Sequence, residues 1–386
     1  MVLSGLNQHR WSLGLERTAR ALDILQHPER SYRQVLVAGT NGKGSTCVYL
    51  ERILTRAGLR VGTTLSPHVC RFTERFRIGG VEAEAAELAD MRLELEPELS
   101  GLGLTYFEWC VILAVVLFQR KHVDVGIFEV GLGGRYDASN VLDPCISLIT
   151  SISEDHTDYL GNTVAAIAAE KACIARPGAH LLTSAEGEAL GVIREHALRV
   201  GAVLHEVGAH DGLPEAPSGP HQTLNASLAL AAARLLGVTL TEAEMLHALR
   251  TAFLPGRIEG MGGRVIMDVA HNAASMLVLV EHLKARGFKG AGVAGILSDK
   301  DYRAMVSALA QVCSCIFVAP VHSPRSWGTD EMSRVQGSGA VTICGSVTQA
   351  FQDALQTGRD VVVTGSFYTV GEVRESLICR GWFSWA

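Results

Sequence analysis

The clearest indication of the fold is the segment Gly39-Thr40-Asn41-Gly42-Lys43-Gly44-Ser45-Thr46. It follows a short apolar run and precedes a helical pattern, and the order of strand, glycine-rich turn and helix N-terminus is typical of a phosphate-binding loop. In such a loop Lys43 reaches the outer phosphates of a nucleotide, and the hydroxyl of Ser45 or Thr46 can hold Mg²⁺. The spacing is not the usual Walker A pattern, because Gly44 separates Lys43 from Ser45. A glycine-rich turn without a ligand is the alternative.

Outside this stretch, short runs rich in Val and Ile alternate with longer helical patterns, which is typical of an α/β protein with mostly parallel strands. Two predicted helices and the break Leu254-Pro255-Gly256 separate two groups of strands. We therefore predict a mostly parallel sheet domain over 1–254 and a smaller α/β domain over 255–386. The predicted strands are 34–38, 60–65, 123–130 and 146–152, then 264–269, 292–297, 315–319 and 360–364; the two helices are 224–236 and 241–252.

Composition narrows the class of protein further. The 386 residues carry 34 Lys and Arg against 40 Asp and Glu, a net charge of −6 that argues against a nucleic-acid binder. The longest apolar run, Cys110 to Phe118, is far shorter than the roughly 20 residues that span a bilayer, and the N-terminus lacks the pattern of a secretory signal. Nine scattered cysteines without a CxxC pair fit a reducing compartment. We predict a cytoplasmic protein that binds neither nucleic acid nor membrane.

Polar side chains follow several predicted strands of the first group at their C-terminal ends. In an open parallel sheet the ligand crevice lies outside those ends, so these side chains should converge near the glycine-rich loop. A hydroxyl, a carboxylate and an imidazole beside a triphosphate suit Mg²⁺. Singly, each has a structural alternative: Glu129 can pair with Arg135, and His156 can cap a helix. The residues are Ser66, His68, Glu129, Asp155 and His156.

Lys171 lies on the apolar face of a predicted helix over 163–176, which Pro177-Gly178 ends. A lysine that faces inward beside Mg²⁺ suffers desolvation and charge repulsion, and both lower its pKa and favour the neutral amine. A neutral amine can react with CO₂ to form a carbamate, which is a metal-binding anion. The alternative is a lysine whose ammonium group reaches water.

The second group of strands adds Asp268 and His271, again at the C-terminal end of a predicted strand. Arg257 follows the break between the domains, where it can extend across a cleft toward phosphates. Asn225 stands near the start of the preceding helix, and its alternative role is that of an N-cap.

Together these residues resemble the folate branch of the Mur ligase superfamily, the bifunctional dihydrofolate synthases/folylpolyglutamate synthases. The resemblance runs from LGLER at 13–17 almost to the C-terminus. It implies a Mur-ligase-type P-loop ATPase domain followed by a C-terminal Rossmann-like ligase domain. The matching blocks are GTNGKGS at 39–45, SPH at 66–68, RFTERFRI at 71–78, LTYFE at 104–108, EVGLGGRYDASN at 129–140, DHTDYLG at 155–161, EKACI at 170–174, LPGR at 254–257, DVAHN at 268–272 and TGSFYTV at 364–370.

The resemblance implies an ATP-dependent amide ligase. ATP phosphorylates the carboxylate of a pteroyl-type acceptor, and the amine of L-glutamate then displaces phosphate. Lys43 would stabilise the transferring phosphoryl group, a task of positioning and charge neutralisation. The implied ligands of one Mg²⁺ are Ser45, Ser66 and Glu129, and those of a second are His156 and carbamylated Lys171. The implied ATP contacts are the loop 39–46, Asn225, Arg257, Asp268 and His271, and the implied substrate contacts are Thr105, Phe107, Arg135 and Asp137.

The expected acceptor is dihydropteroate, a reduced folate, or both, and the expected state is a monomer. Departures from the family pattern leave the acceptor open. Among them, Cys173 stands where the family commonly has Gly, and Glu154 occupies a commonly apolar position. The alternatives are a related ligase for a different aromatic or heterocyclic acid and a non-catalytic ATP-binding module.

Overall fold

The computed structural model describes residues 2–3, 5–7, 12, 14–155, 160–210, 220–335, 341–382 and 384–385. They form two compact units. One comprises the described residues of Met1–Ala216 and Pro220–Ala252, and the other those of Phe253–Ala386. The division of the chain into functional domains over 1–254 and 255–386 stays a prediction.

The first unit is built on a mostly parallel sheet. Its described strands are β1 (Arg33–Ala38), β2 (Val61–Thr64), β3 (Phe76–Ile78), β4 (Val81–Glu82), β5 (Val125–Glu129), β6 (Ile146–Ile149), β7 (His180–Thr183) and β8 (Val203–Glu206). They lie in the order β4-β3-β2-β5-β1-β6-β7-β8, parallel from β2 to β8, with β3 and β4 added antiparallel at one edge. The C-terminal ends of β2, β5, β1 and β6 therefore lie side by side.

Helices connect and cover these strands. Because both faces of a parallel sheet are covered, its central strands β2, β5, β1 and β6 are buried, and in β1 only Arg33 is exposed. The long apolar run noted above lies in α4, where residues 108–118 are all buried. None of the helices in the described ranges is long and apolar enough to cross a membrane. The helices are α1 (Glu16–Ile24), α2 (Lys43–Arg56), α3 (Ala85–Leu99), α4 (Tyr106–Arg120), α5 (Val164–Ala172), α6 (Gly187–Val200), α7 (Pro220–Leu235) and α8 (Glu242–Arg250).

The second unit has its own sheet and core. Its strands are β9 (Glu259–Met261), β10 (Val265–Met267), β11 (Gly290–Ala294), β12 (Cys313–Val318), β13 (Val341–Ile343), β14 (Val361–Thr364) and β15 (Ser384–Trp385), and its helices are α9 (Ala273–Ala285), α10 (Tyr302–Leu309), α11 (Thr329–Val335), α12 (Val347–Gln356) and α13 (Phe367–Cys379). The described strands lie in the order β13-β12-β11-β14-β10-β9-β15. The five from β13 to β10 are parallel, and β9 and β15 are antiparallel additions. The predicted α/β class, with a large mostly parallel sheet and a second, smaller sheet unit, is confirmed.

The sequence missed several short strands for a physical reason. β8 is an edge strand without a fully buried residue, so it has no clear apolar signal. β3 and β4 contain only three and two residues, too few for a pattern to stand out. Helix α7 begins at Pro220, four residues before the predicted start, as the preference of proline for the first helical turn allows.

Candidate active site

The glycine-rich loop joins the end of β1 to the start of α2, as the sequence predicted. Two of its glycines have backbone conformations and surroundings that exclude a side chain. Gly39 has φ +145°, and a Cβ there would lie 1.8 Å from the hydroxyl oxygen of Thr150. Gly42 has φ +90°, and a Cβ there would lie 2.3 Å from Oδ1 of Asn225. The loop is therefore packed tightly on both sides by its own unit.

Hydrogen bonds to the segment after β6 fix the shape of this loop. The N–H of Thr40 donates to the carbonyl of Ser151 over 2.8 Å. The Thr40 hydroxyl donates to the carbonyl of Ser153 over 3.0 Å and accepts from its N–H over 3.1 Å. The hydroxyl of Thr150 donates to the carbonyl of Asn41 over 2.7 Å. These hydrogen bonds hold the loop against the segment 150–153.

Two lysines meet at one carbonyl oxygen of the loop. Nζ of Lys43 donates to the carbonyls of Gly39 and Thr40 over 3.0 and 3.1 Å, and Nζ of Lys171 donates to that of Gly39 over 2.9 Å. Lys171 is only 4% exposed, so its ammonium group does not reach bulk water. Burial and, second, the charge of Lys43 lower the pKa of Lys171 to about 7, against the opposing effect of nearby carboxylates. A sizeable fraction of Lys171 is therefore the neutral amine near pH 7.

Ser66 and Glu129 come together at the neighbouring strand ends. The N–H of Ser66 donates to Oε2 of Glu129 over 2.8 Å, and Glu129 is buried. The Ser66 hydroxyl oxygen is buried and has no hydrogen-bond partner among the described residues, and the same holds for Thr46. Orphaned hydroxyls beside a buried carboxylate fit a hard cation such as Mg²⁺, which prefers oxygen ligands. Over the described ranges no group of three or more His, Cys, Asp or Glu side chains could hold a metal, so other ligands would be hydroxyls, phosphate and water.

The structural alternatives for three site residues can be compared with the observed contacts. Arg135 forms its ion pair with Glu170, Nε to Oε1 at 2.8 Å, and not with Glu129. Asn225 lies within α7, well after its first turn, and is therefore not the N-cap. His156 lies outside the described residues; Asp155 beside it is buried.

A network that the sequence analysis missed lies behind the loop. The amide Nε2 of Gln222 donates to the Ser45 hydroxyl over 3.4 Å. Its Oε1 accepts from the Tyr49 hydroxyl and from Nδ2 of Asn225, each over 3.2 Å. All four side chains are buried. Gln222 stands one helical turn before Asn225, and that spacing on one helix face was the available signal.

The implied substrate residues lie around α4 and the loop after β5. Thr105 is the N-cap of α4 and forms a capping box with Glu108. The Phe107 ring packs on Gly131, where a Cβ would lie 2.7 Å from the ring. Asp137 is buried, and its two carboxylate oxygens accept hydrogen bonds from the N–H groups of 131, 132 and 139 and from the 139 hydroxyl. Asp137 therefore shapes its own loop.

A second feature that the sequence analysis missed is a cluster of His68, Phe72, Arg75 and Tyr106, called here the Arg75 cluster. Arg75 Nε donates to Nδ1 of His68 over 2.8 Å, and its guanidinium carbon lies 5.5 Å from the centroid of the Tyr106 ring. Phe72 packs edge-on to Tyr106 and to His68. The cluster links the SPH block to the LTYFE block.

In the second unit, Arg257, Asp268 and His271 lie near Phe367. The guanidinium carbon of Arg257 lies 5.6 Å from the centroid of the Phe367 ring, and the His271 ring centroid lies 5.7 Å from it. Asp268 accepts hydrogen bonds from the N–H groups of residues 258 and 270. Burial raises the pKa of Asp268, and Arg257 opposes the shift. The second unit thus brings its three predicted site residues to one place.

Comparison with protein-family models matches two parts of the chain. Residues 37–180 match the Mur ligase middle domain, and residues 256–367 match the Mur ligase, glutamate ligase domain. Two curated proteins, both called dihydrofolate synthase/folylpolyglutamate synthase, match nearly end to end. The Escherichia coli protein is 36% identical and the match covers 98% of this chain and 94% of that protein. The Bacillus subtilis protein is 31% identical, with coverage of 94% and 95%.

Solved structures give the same result. E. coli FolC in complex with DHPP and ADP has a TM-score of 0.88 and 35% identity, with 98% of this chain and 96% of that chain covered. The bifunctional folylpolyglutamate synthase/dihydrofolate synthase of Yersinia pestis, complexed with AMPPNP and Mn ion, has a TM-score of 0.88 and 33% identity, with coverage of 97% and 96%.

Proposed function

We propose, since this chain belongs to the dihydrofolate synthase/folylpolyglutamate synthase family of the Mur ligases, that it joins L-glutamate to dihydropteroate or a reduced folate in an ATP-dependent reaction. The observation that carries the proposal is the loop 39–46 with Lys43 and Lys171 at one carbonyl, beside the pair Ser66 and Glu129. Similar structures hold the corresponding ligands: one contains DHPP and ADP, and another contains Mn, AMPPNP and L-glutamate.

The reaction has two steps. An oxygen of the acceptor carboxylate attacks the γ-phosphorus of ATP, the bond to the bridging oxygen breaks, and ADP leaves. The amine of glutamate then attacks the acyl carbon, a proton leaves the nitrogen, and inorganic phosphate is released as the amide forms. Both steps concentrate negative charge on phosphoryl oxygens, so positioning and charge neutralisation supply most of the catalysis.

Lys43 and the loop N–H groups bind and orient the transferring phosphoryl group. Ser45, Ser66 and Glu129 would hold one Mg²⁺, and the buried unpartnered hydroxyl of Ser66 supports that assignment. When bound, the ion neutralises phosphate oxygens and fixes their orientation. The shared burial of Ser45 and Glu129 keeps bulk water away from the phosphoryl group.

His156 and a carbamate of Lys171 would serve a second Mg²⁺. The neutral Lys171 amine forms an N–C bond with CO₂ and loses a proton, which converts a buried cation into a buried anion. The lowered pKa and the burial of Lys171 support this step. Asn225, Arg257, Asp268 and His271 would bind ATP. The residues that would contact the acceptor are Thr105, Phe107, Arg135 and Asp137, and Asp137 also holds the loop that carries Arg135. A monomeric state and a cytoplasmic location stay predictions.

Product analysis tests the proposal. The protein is incubated with ATP, Mg²⁺ and L-glutamate, with dihydropteroate, tetrahydrofolate or no acceptor, and ADP and product masses are measured. We expect acceptor-dependent ADP and a product heavier by one glutamyl group with at least one pteroyl acceptor. Lys43→Met should abolish both. ADP release with neither acceptor would contradict the proposal, and ATP binding without any acceptor-dependent ADP would point to a binding module.

A further inference from the structure

Arg75 is a deeply buried arginine without a carboxylate partner among the described residues. It is 6% exposed, like Arg77 and Arg374. Those two arginines each pair with a buried glutamate: Arg77 with Glu51 at 2.9 Å and Arg374 with Glu259 at 3.0 Å. The hydrogen-bond partner of Arg75 is instead the imidazole of His68. A buried charge is normally paired, so Arg75 differs from the other two buried arginines of the described residues.

The described side chains that contact the Arg75 guanidinium group, His68 and Tyr106, are not carboxylates. Nδ1 of His68 accepts the Nε–H bond of Arg75 over 2.8 Å, so this nitrogen faces the guanidinium group with its lone pair and not with a negative charge. Burial raises the pKa of Tyr106 to about 12, so its phenol stays neutral. An aromatic face attracts a cation but does not replace a counter-ion. Among the described residues, the Arg75 guanidinium group therefore has no carboxylate at ion-pair distance.

The position of the Arg75 cluster indicates which anion would fit. His68 stands two residues after Ser66, which bonds to Glu129. Tyr106 stands between Thr105 and Phe107 at the start of α4. Arg75 therefore lies between the residues proposed for Mg²⁺ and those proposed for the acceptor, among aromatic rings that suit an aromatic molecule.

We propose that Arg75 binds the carboxylate of an aromatic acid, the group of the acceptor that is phosphorylated. A guanidinium group matches a carboxylate through two parallel N–H···O bonds, and Phe72 and Tyr106 flank the attached ring. Binding of the acceptor then completes an ion pair that the folded protein leaves open. The inference rests on the proposed function and specifies one end of its acceptor site.

Paired ligands that differ only in charge test the inference. Pteroate and its neutral carboxamide are titrated by calorimetry into the full-length protein with Mg²⁺ and ADP. The unmodified protein should bind pteroate about 10- to 100-fold more tightly than the carboxamide, as expected for a charge-assisted pair. In Arg75→Gln this ratio should fall to near one through loss of pteroate affinity, with ADP affinity unchanged. Arg75→Lys should keep part of the preference.

Arg71→Gln is the matched control, because it removes an equal charge from the same segment, where Arg71 is exposed and paired with Glu82 at 2.8 Å. It should leave the ratio unchanged. If Arg75→Gln does not fold, the titration of the unmodified protein is still a test. The inference is overturned if the unmodified protein binds pteroate no more tightly than its carboxamide. An Arg75→Gln protein that keeps the full preference also overturns it.

A second pair of ligands distinguishes failure of the proposed function from failure of the inference about Arg75. If pteroyl compounds do not bind, 4-aminobenzoate and 4-aminobenzamide replace them, and binding is measured by ligand-detected NMR. A preference for 4-aminobenzoate that Arg75→Gln abolishes supports Arg75 even though the acceptor is another aromatic acid. No preference in this pair overturns the inference.

Discussion

Lys43 and Lys171 donate to the same acceptor, the carbonyl oxygen of Gly39, over 3.0 and 2.9 Å. Two ammonium groups at one oxygen repel each other, and the repulsion is relieved when one of them loses its proton. The pKa of Lys171 falls to about 7 because that side chain is almost fully buried. The loop thus sets up a cation at Lys43 beside a reactive neutral amine at Lys171.

Lys171→Met should stabilise the protein more at pH 6 than at pH 9. The pKa of Lys171 in the folded state, about 7, lies below its usual 10.5, so between these values the unfolded chain binds more protons. The stability of the unmodified protein therefore rises with pH relative to the variant, by up to about 1.4 kcal/mol per pH unit. Urea unfolding in CO₂-free buffer at pH 6, 7.5 and 9 measures this. Lys289→Met, at an exposed lysine, should show no such trend, and a pH-independent effect of Lys171→Met would contradict the burial argument.

Lys171→Ala should lower kcat by roughly 100-fold or more, because the proposed carbamate and its metal ligand are lost. Short carboxylates such as acetate or propionate should restore part of the rate by filling the space left by the side chain. In the unmodified protein, ¹³C-bicarbonate should give a carbamate carbon signal that is missing in the variant. Full activity of Lys171→Ala would exclude the carbamate.

Gln222→Glu should weaken binding of Mg²⁺ and an ATP analogue together by about tenfold. A glutamate cannot donate to Ser45, and it puts a negative charge beside the loop. Tyr49→Phe removes one of two donors to the same amide and should cost less, about two- to fivefold. Calorimetric titration at several Mg²⁺ concentrations measures both. Gln119→Glu, at an exposed position, serves as the control, and equal effects at 119 and 222 would rule out the proposed network.

Gly42→Ala should abolish ATP binding, whereas Gly58→Ala should leave it intact. Both glycines have positive φ, +90° and +85°, so alanine strains the backbone similarly at each. Only at Gly42 would the new Cβ collide, 2.3 Å from Oδ1 of Asn225; at Gly58 nothing lies within 4 Å. Nucleotide titration and thermal melting of both variants separate the clash from the strain. Retained binding in Gly42→Ala would show that the loop is not held as tightly as described.

The sequence predicted the structural features that depend on residues close together in the chain. The apolar run before Gly39 and the helical pattern after Thr46 predicted the strand, loop and helix. The position of Lys171 on an apolar helix face predicted its burial, because the 3.6-residue period assigns a face directly. Ser66 and Glu129 were predicted to lie close together because each stands at the C-terminal end of a strand, and the two residues are hydrogen-bonded.

Other parts of the site depend on contacts that no local pattern shows. Arg75 looks like any charged residue of RFTERFRI until its burial and its missing carboxylate partner are seen. Asp137 stays predicted at the substrate, but the hydrogen bonds by which its oxygens also hold its own loop have no local sequence signal. Gln222 becomes informative only when α7 packs on α2 and places its amide against Ser45. Such features arise from tertiary packing between segments far apart in the chain.

Transfer of ¹⁸O from the acceptor carboxylate to phosphate shows whether ligation proceeds through an acyl phosphate. Dihydropteroate with both carboxylate oxygens labelled is incubated with the protein, ATP, Mg²⁺ and L-glutamate, and the released phosphate is analysed by mass spectrometry. The carboxylate oxygen that attacks the γ-phosphorus leaves with phosphate when the amide forms, so each phosphate should carry one ¹⁸O. Unlabelled phosphate released alongside the glutamylated product would contradict the account.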